Sequence, residues 1–245
     1  MDAPLELEKQ SYQGLPMAIF VPVVYEHAPS LMHFDTAAGF SILYLAAGTP
    51  WTTNVGQVTI GCESRSLDGW GVVDPGFGTS LPVVGTIGGD WLLESATTID
   101  VGLGRIWRNA SMPAGLGEDV SHQVVDDTVI VTVQVEGEDR LLVLDTGAGF
   151  TLLNGEGGKP GDTQVNFLDW NGNEVEAYLG SAAISIGGAD GTVPVLRTPS
   201  FVAIEYAAQS SGLDVTGLLG LSSIDMLHVD PAVSRVRIRP RFQEP

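Results

Sequence analysis

Apolar and polar positions alternate along much of the chain: Ala18 to Val24, Thr128 to Val135, Leu141 to Leu144, Ala183 to Ile186 and Val233 to Ile238. A period of two puts every second side chain on one face, so each stretch predicts a half-buried strand. Turn dipeptides stand between them, including Asn171-Gly172, Gly187-Gly188 and Gly157-Gly158. The helical period is rarer. Asp90 to Ala96 and Leu221 to Leu227 are the best predicted helices, each about two turns long. The pattern predicts a mainly β protein, and the 31 glycines and 14 prolines among 245 residues agree with many short strands and turns.

The strand pattern also repeats. Shifted by 110 residues, Met17 to Tyr44 falls on Asp127 to Asn154 without a gap, and ten of the 28 pairs are identical. Asp35-Thr36 meets Asp145-Thr146, and Ala38-Gly39-Phe40 meets Ala148-Gly149-Phe150. A second block recurs further on, where Gly85-Thr86-Ile87-Gly88 corresponds to Gly217-Leu218-Leu219-Gly220. Here the offset is 132, so the second copy holds 22 more residues between its two blocks. Two copies are too few for a solenoid and predict a pair of lobes. Residues 1–14 then form an N-terminal segment, 15–108 a first lobe, 109–123 a linker and 124–245 a second lobe.

In each copy an apolar strand runs into Asp-Thr followed by small residues. A carboxylate at the end of a buried strand is costly unless it is hydrogen-bonded. Small residues let backbone N–H groups approach it. Two such loops meeting at a twofold axis would bring Asp35 and Asp145 together. Two carboxylates in contact share a proton, which makes one an acid and the other a base.

Leu141 to Ala148, LLVLDTGA, resembles the active-site motif of aspartic proteases, and Gly217 to Leu221, GLLGL, resembles the apolar-apolar-Gly motif that follows it. The order of motifs is most similar to the retropepsin-like branch, here as two halves fused in tandem. The resemblance implies an all-β fold of two pseudo-twofold-related β-barrel lobes with short helices. It implies Asp35 and Asp145 as the catalytic pair, with Thr36 and Thr146 crossing between the loops and Ala37 and Gly147 at the tight turns. It implies an aspartic endopeptidase acting on a peptide or protein, with no metal or other cofactor, as a monomer with an internal pseudo-dimer. An alternative is a catalytically impaired relative that binds peptides or acts structurally. A β-rich carbohydrate- or lipid-binding protein is a third reading, disfavoured by the duplicated Asp-Thr loops.

Several positions depart from that family. Ala37 replaces the motif glycine, which is costly if the position needs a positive φ. Gly39 and Gly149 stand where a polar residue is usual. His33 replaces an apolar residue on the Asp35 face of its strand; it either adds charge beside the pair or is simply hydrogen-bonded. The family also closes a hairpin flap over its substrate. Asn171-Gly172, within Val165 to Leu179, is the strongest hairpin signal in the second copy. Trp170, Asn171, Gly172 and Tyr178 are therefore expected at the substrate, with an ordinary surface hairpin as the alternative. Thr53 to Asp74 in the first copy carries no equally clear hairpin.

Charge narrows the partners. Thirty acidic residues against eleven basic ones give −19, with Lys9 and Lys159 the only lysines. That disfavours nucleic acid and anionic membrane surfaces. A low working pH would shed much of this charge. No apolar run reaches the ~18 residues of a membrane span. Cys62 is the single cysteine and cannot form an intrachain disulfide. The four histidines lack metal-ligand spacing. Gly155 to Pro160 lacks the Lys-Ser/Thr step of a phosphate loop and predicts a turn. Arg235, Arg237, Arg239 and Arg241 lie on one strand face, where internal ion pairs are favoured over an acidic partner. The start, Met1 to Glu6, lacks a secretory layout. That fits either a cytosolic protein or one whose leader lies outside this sequence, and the extracytoplasmic location is slightly favoured.

Overall fold

The computed structural model describes residues 4–12, 15–44, 56–66, 71–73, 83–109, 111–169 and 173–242. Strands make up most of these residues, so the protein is all-β. The first part of the chain carries β1 (Leu5–Glu6), β2 (Glu8–Tyr12), β3 (Leu15–Tyr25), β4 (Ala28–Phe34), β5 (Ile42–Tyr44), β6 (Gln57–Ile60), β7 (Glu63–Ser66), β8 (Gly71–Val73) and β9 (Val83–Ile87). The one-turn helix α1 (Gly89–Leu92) follows, then β10 (Thr97–Asp100) and β11 (Arg105–Arg108). The second part carries β12 (His122–Val125), β13 (Thr128–Val135), β14 (Glu138–Leu144), β15 (Thr151–Asn154), β16 (Thr163–Leu168), β17 (Glu174–Ile186) and β18 (Ala189–Thr198). After helix α2 (Val202–Ser211) come β19 (Val215–Leu219), β20 (Ile224–Asp230) and β21 (Arg235–Pro240).

Three sheets form among the described residues. One runs β7-β6-β3-β4-β9-β5-β8, with β2 added on β3, and another runs β12-β13-β14-β19-β15-β18-β17-β16. In both, the strand that leads into the Asp-Thr pair lies parallel to a later Gly-bearing one: β4 beside β9 and β14 beside β19. A third sheet, β1-β11-β10-β20-β21, joins strands from both parts of the chain. The alternation read from the sequence fills the main core. Val129, Val131, Val133 and Val135 of β13 meet Leu142 and Leu144 there, together with Ile19, Val21, Met32 and Phe34 of β3 and β4.

Four two-residue hairpin turns among the described residues use left-handed backbone. Glu26 and His27 join β3 to β4, Asp126 and Asp127 join β12 to β13, Glu136 and Gly137 join β13 to β14, and Gly187 and Gly188 join β17 to β18, all at positive φ. Two positive-φ central residues match the right-handed twist of the flanking strands. In the β3–β4 turn a histidine accepts that conformation, so no Asn-Gly signal marks it.

The helices depart from expectation. The stretch from Leu221 to Leu227 is not helical beyond a single 3-10 turn at Leu221–Ser223. Ile224 onward is β20, held by β10 on one side and β21 on the other; tertiary pairing overrides a weak local preference. The stretch from Asp90 stops at Leu92. Helix α2 was not foreseen. Gly212, at φ 68, caps its C-terminus in the left-handed region.

The four C-terminal arginines pair internally. Arg235 and Arg237 engage Asp119, while Arg239 and Arg241 engage Asp225. Asp119 lies in the expected linker, which bridges to Arg237 on β21. No helix among the described residues is long and apolar enough to cross a membrane.

Candidate active site

Each Asp follows directly on the last residue of its strand. Asp35 N–H donates to the Ile87 carbonyl at 3.0 Å, and Asp145 N–H donates to that of Leu219 at 3.0 Å. The chain then turns tightly. Ala37 and Ala38 N–H donate to Oδ1 of Asp35 at 3.0 and 3.2 Å. Gly147 and Ala148 N–H donate to Oδ1 of Asp145 at 2.8 and 3.0 Å. The glycines of the later block let the loops dock. A Cβ on Gly88 would lie 2.5 Å from the Ala38 carbonyl oxygen, and one on Gly220 would strike that of Phe150.

The two loops interlock through their threonines. Thr36 Oγ1 donates to the Leu144 carbonyl at 2.7 Å and accepts the Thr146 N–H at 3.1 Å. Thr146 Oγ1 donates to the Phe34 carbonyl at 2.9 Å and accepts the Thr36 N–H at 3.2 Å. Both side chains are buried. Valine at either position would leave a buried N–H and a buried carbonyl unpaired, at about 1–3 kcal/mol each. Thr36→Val and Thr146→Val are therefore expected to lower the urea midpoint with little change in slope, as equilibrium unfolding would show.

This crossing sets the carboxyls side by side, and Asp145 hydrogen-bonds to Asp35. Burial first, then the Asp35 charge and that hydrogen bond, hold the Asp145 carboxyl well above the ordinary carboxylate range, against the pull of two backbone N–H groups. Asp145 is 7% exposed, whereas Asp35 is only half-buried. The pair therefore has an inner, buried carboxyl and an outer, more open one.

Gly147 is needed for space. Its φ is not in the left-handed region, and neither is that of Ala37. A Cβ on Gly147 would lie 2.5 Å from Asp35 Cγ. Ala37 is partly buried and packs against an apolar cluster that includes Ile130, Val143 and Leu218. The departure from glycine at position 37 carries no positive-φ strain.

That cluster was not read from the sequence. On the Asp145 face of β13, β14, β15 and β19, Ile130, Val143, Leu152, Val215 and Leu218 cluster with Phe201 and Ile204 at the start of α2. The Phe201 ring also meets Phe167 of β16, with centroids 5.7 Å apart. Strands β16 and β17 do form the expected hairpin, in register from Leu168↔Glu174 to Thr163↔Leu179. Trp170, Asn171 and Gly172 lie outside the described residues. Tyr178 donates its hydroxyl to Glu176 at 2.8 Å, and its ring lies over Gly158.

On the Asp35 face, His33 is half-buried against Phe20, with ring centroids 5.5 Å apart. Burial lowers its imidazole below the ordinary value, more strongly than the Asp35 charge raises it. Tyr44 and Thr86 hydroxyls hydrogen-bond at 2.6 Å. A surface cleft lined by His122, Asp127, Asp230 and Arg235 contains neither catalytic candidate. Among the described residues, no three His, Cys, Asp or Glu side chains are grouped to hold a metal. Compared with protein-family models and with curated proteins, the chain finds no match.

Proposed function

We propose that the protein is an aspartic endopeptidase built from two retropepsin-like lobes. The observation that carries this reading is the pair of Asp-Thr loops, crossed through Thr36 and Thr146, with the Asp145 carboxyl hydrogen-bonded to Asp35.

Strand registers support the lobes. In the shared sheet Thr97 pairs with Val229, Ile99 with Leu227, and Thr98 with His228 at the centre. With an offset of 130, the pairing maps onto itself, as a twofold relation requires. The two central residues are buried and hydrogen-bonded at 2.8 Å. Registers also divide the 22 extra residues. Tyr25 pairs with Val58 and Val135 with Ile184, so the offset has already grown from 110 to 126 there. Sixteen of the extra residues therefore fall before that point, around the β16–β17 hairpin, and six fall around α2. The short β6–β7 hairpin, which the sequence did not mark, corresponds to the β17–β18 turn. The first-copy counterpart of the proposed flap falls in 45–55, outside the described residues.

In the mechanism, Asp35 accepts a proton from a water whose oxygen attacks the peptide carbonyl carbon. Asp145 donates its proton to the carbonyl oxygen. The gem-diol then collapses: one hydroxyl returns its proton to Asp145 as the C=O re-forms, the C–N bond breaks, and the amine nitrogen takes up the proton held by Asp35, which restores the pair. Peptide binding without turnover is the second reading, favoured by the filling of the Asp145 wall by Phe201 and Ile204.

Incubation with quenched fluorescent peptides from pH 3 to 7 tests the choice. Cleavage blocked by a statine-type inhibitor and lost in Asp35→Asn is expected. Full activity in Asp35→Asn would overturn the intramolecular pair, and binding without cleavage at any pH would leave the second reading.

A further inference from the structure

Four ladder positions flank each catalytic Asp on its own sheet face, and the registers match them one to one. In the first lobe Phe20 pairs with His33, His33 with Thr86, and Thr86 with Ile42. In the second Ile130 pairs with Val143, Val143 with Leu218, and Leu218 with Leu152. The second set is wholly apolar, at most 7% exposed, and sealed by Phe201 and Ile204. A substrate side chain finds no room there while α2 stays docked. The first set is polar at its centre. His33, Ile42 and Tyr44 are half-buried beside the half-buried Asp35, and Tyr44 extends the wall through its hydroxyl contact with Thr86.

Resting on the peptidase reading, we propose that this first-lobe wall selects a substrate residue with an uncharged, hydrogen-bonding side chain, such as glutamine or serine, through His33, Tyr44 and Thr86. Phe20 and Ile42 supply the apolar sides and the three polar groups supply direction. The imidazole is kept neutral by burial, so it offers one donor and one acceptor. An aliphatic side chain would strip water from these groups and return no hydrogen bond. A carboxylate would face the Asp35 charge without a cation among the wall residues. A lysine would find its partner carboxylate in Asp35 itself and compete with the attacking water.

The test uses fluorescent heptapeptides whose central peptide bond is reduced to an amine and so cannot be cleaved. The residues flanking that bond are varied in turn among Gln, Ser, Leu, Glu and Lys, and binding is followed by anisotropy. Wild type is expected to bind the best Gln peptide at least tenfold more tightly than its Leu counterpart. His33→Leu/Thr86→Val is expected to reverse that order, and Tyr44→Phe to weaken Gln binding severalfold at unchanged melting temperature. If the double variant does not fold, Tyr44→Phe and His33→Asn carry the comparison. A wild-type preference for Leu, or a Gln preference untouched by folded variants, overturns the proposal. Cleavage of the matching amide peptides is scored separately. Selectivity without cleavage keeps the pocket and sinks the peptidase; cleavage without selectivity does the reverse; neither binding nor cleavage sinks both.

Discussion

On the peptidase reading, replacing Asp145 by asparagine is expected to cut turnover sharply and, at neutral pH, to make the fold more stable. An amide keeps the shape of the carboxyl, still accepts from Gly147 and Ala148 N–H at one oxygen, and can donate to Asp35 through its nitrogen. It cannot release the proton that the carbonyl oxygen needs, so a loss of about 10²–10⁴-fold is expected. The stability effect follows from the direction of the Asp145 shift. Its folded value is raised, so its favourable contribution is complete below the unfolded value of about 3.9 and is lost as pH rises through the folded value. Asparagine has no such loss. The melting temperature of Asp145→Asn minus that of wild type should therefore be smallest near pH 4 and grow towards pH 7.5. Thermal melts at several pH values, alongside the peptide assay, check both halves. A constant difference would mean that Asp145 is not the proton carrier. Ionisation of the folded carboxyl removes the acid from the proposed mechanism, so wild-type activity should fall at the pH where the stability gap levels off.

Much of this site is legible in the sequence because it is written twice. Asp35-Thr36 and Asp145-Thr146 are separated by the same interval as the strands leading into them. Crossed threonines need only those residues on equivalent loops. The strands are legible because a buried face every second residue leaves its mark wherever one side meets the core. What escaped the sequence depends on neighbours distant in the chain. Ile224 to Leu227 has an acceptable helical pattern, yet β10 and β21 claim both of its edges. Helix α2 shows a poor stripe: Ile204 is buried among small alanines while Val202 and Tyr206 are exposed. The reason for glycine at 147 is also non-local, since the obstacle is the Asp35 carboxyl of the opposite loop rather than a backbone angle. The count of 22 extra residues came from the motifs, but only the pairing of β13 with β17 places sixteen of them around the hairpin.

Arg197→Met is expected to destabilise the protein by about 3–5 kcal/mol, the usual cost of removing one partner from a buried ionic group. Arg197 is fully buried on β18, opposite Tyr178 of β17. Its guanidinium donates to Glu156 at 3.1 Å, Asp162 at 2.9 Å and Glu136 at 3.2 Å, and to the Ser181 carbonyl at 2.8 Å. These partners tie the β13–β14 turn and the loop before β16 to the base of the β16–β17 hairpin. Methionine fills similar volume but leaves three carboxylates converging on an apolar side chain. Arg140 still pairs with Glu156 and Lys159 with Glu136, which leaves Asp162, nearly buried, with the largest deficit. Adding Asp162→Asn should therefore recover part of the loss. Acid should narrow the gap as well. Lys159 first, and then Arg197, hold Glu136 below its ordinary value. Its stabilising contribution is present above the unfolded value of about 4.3 and disappears as pH falls through the folded one. Urea titrations at pH 7 and pH 3.5 measure the difference. Amide hydrogen exchange across β16 and β17 shows whether the hairpin loosens with it. If the peptidase reading holds, a looser hairpin base should raise KM for peptides more than it lowers kcat, because the Asp35–Asp145 pair is held by its own crossed loops rather than by Arg197.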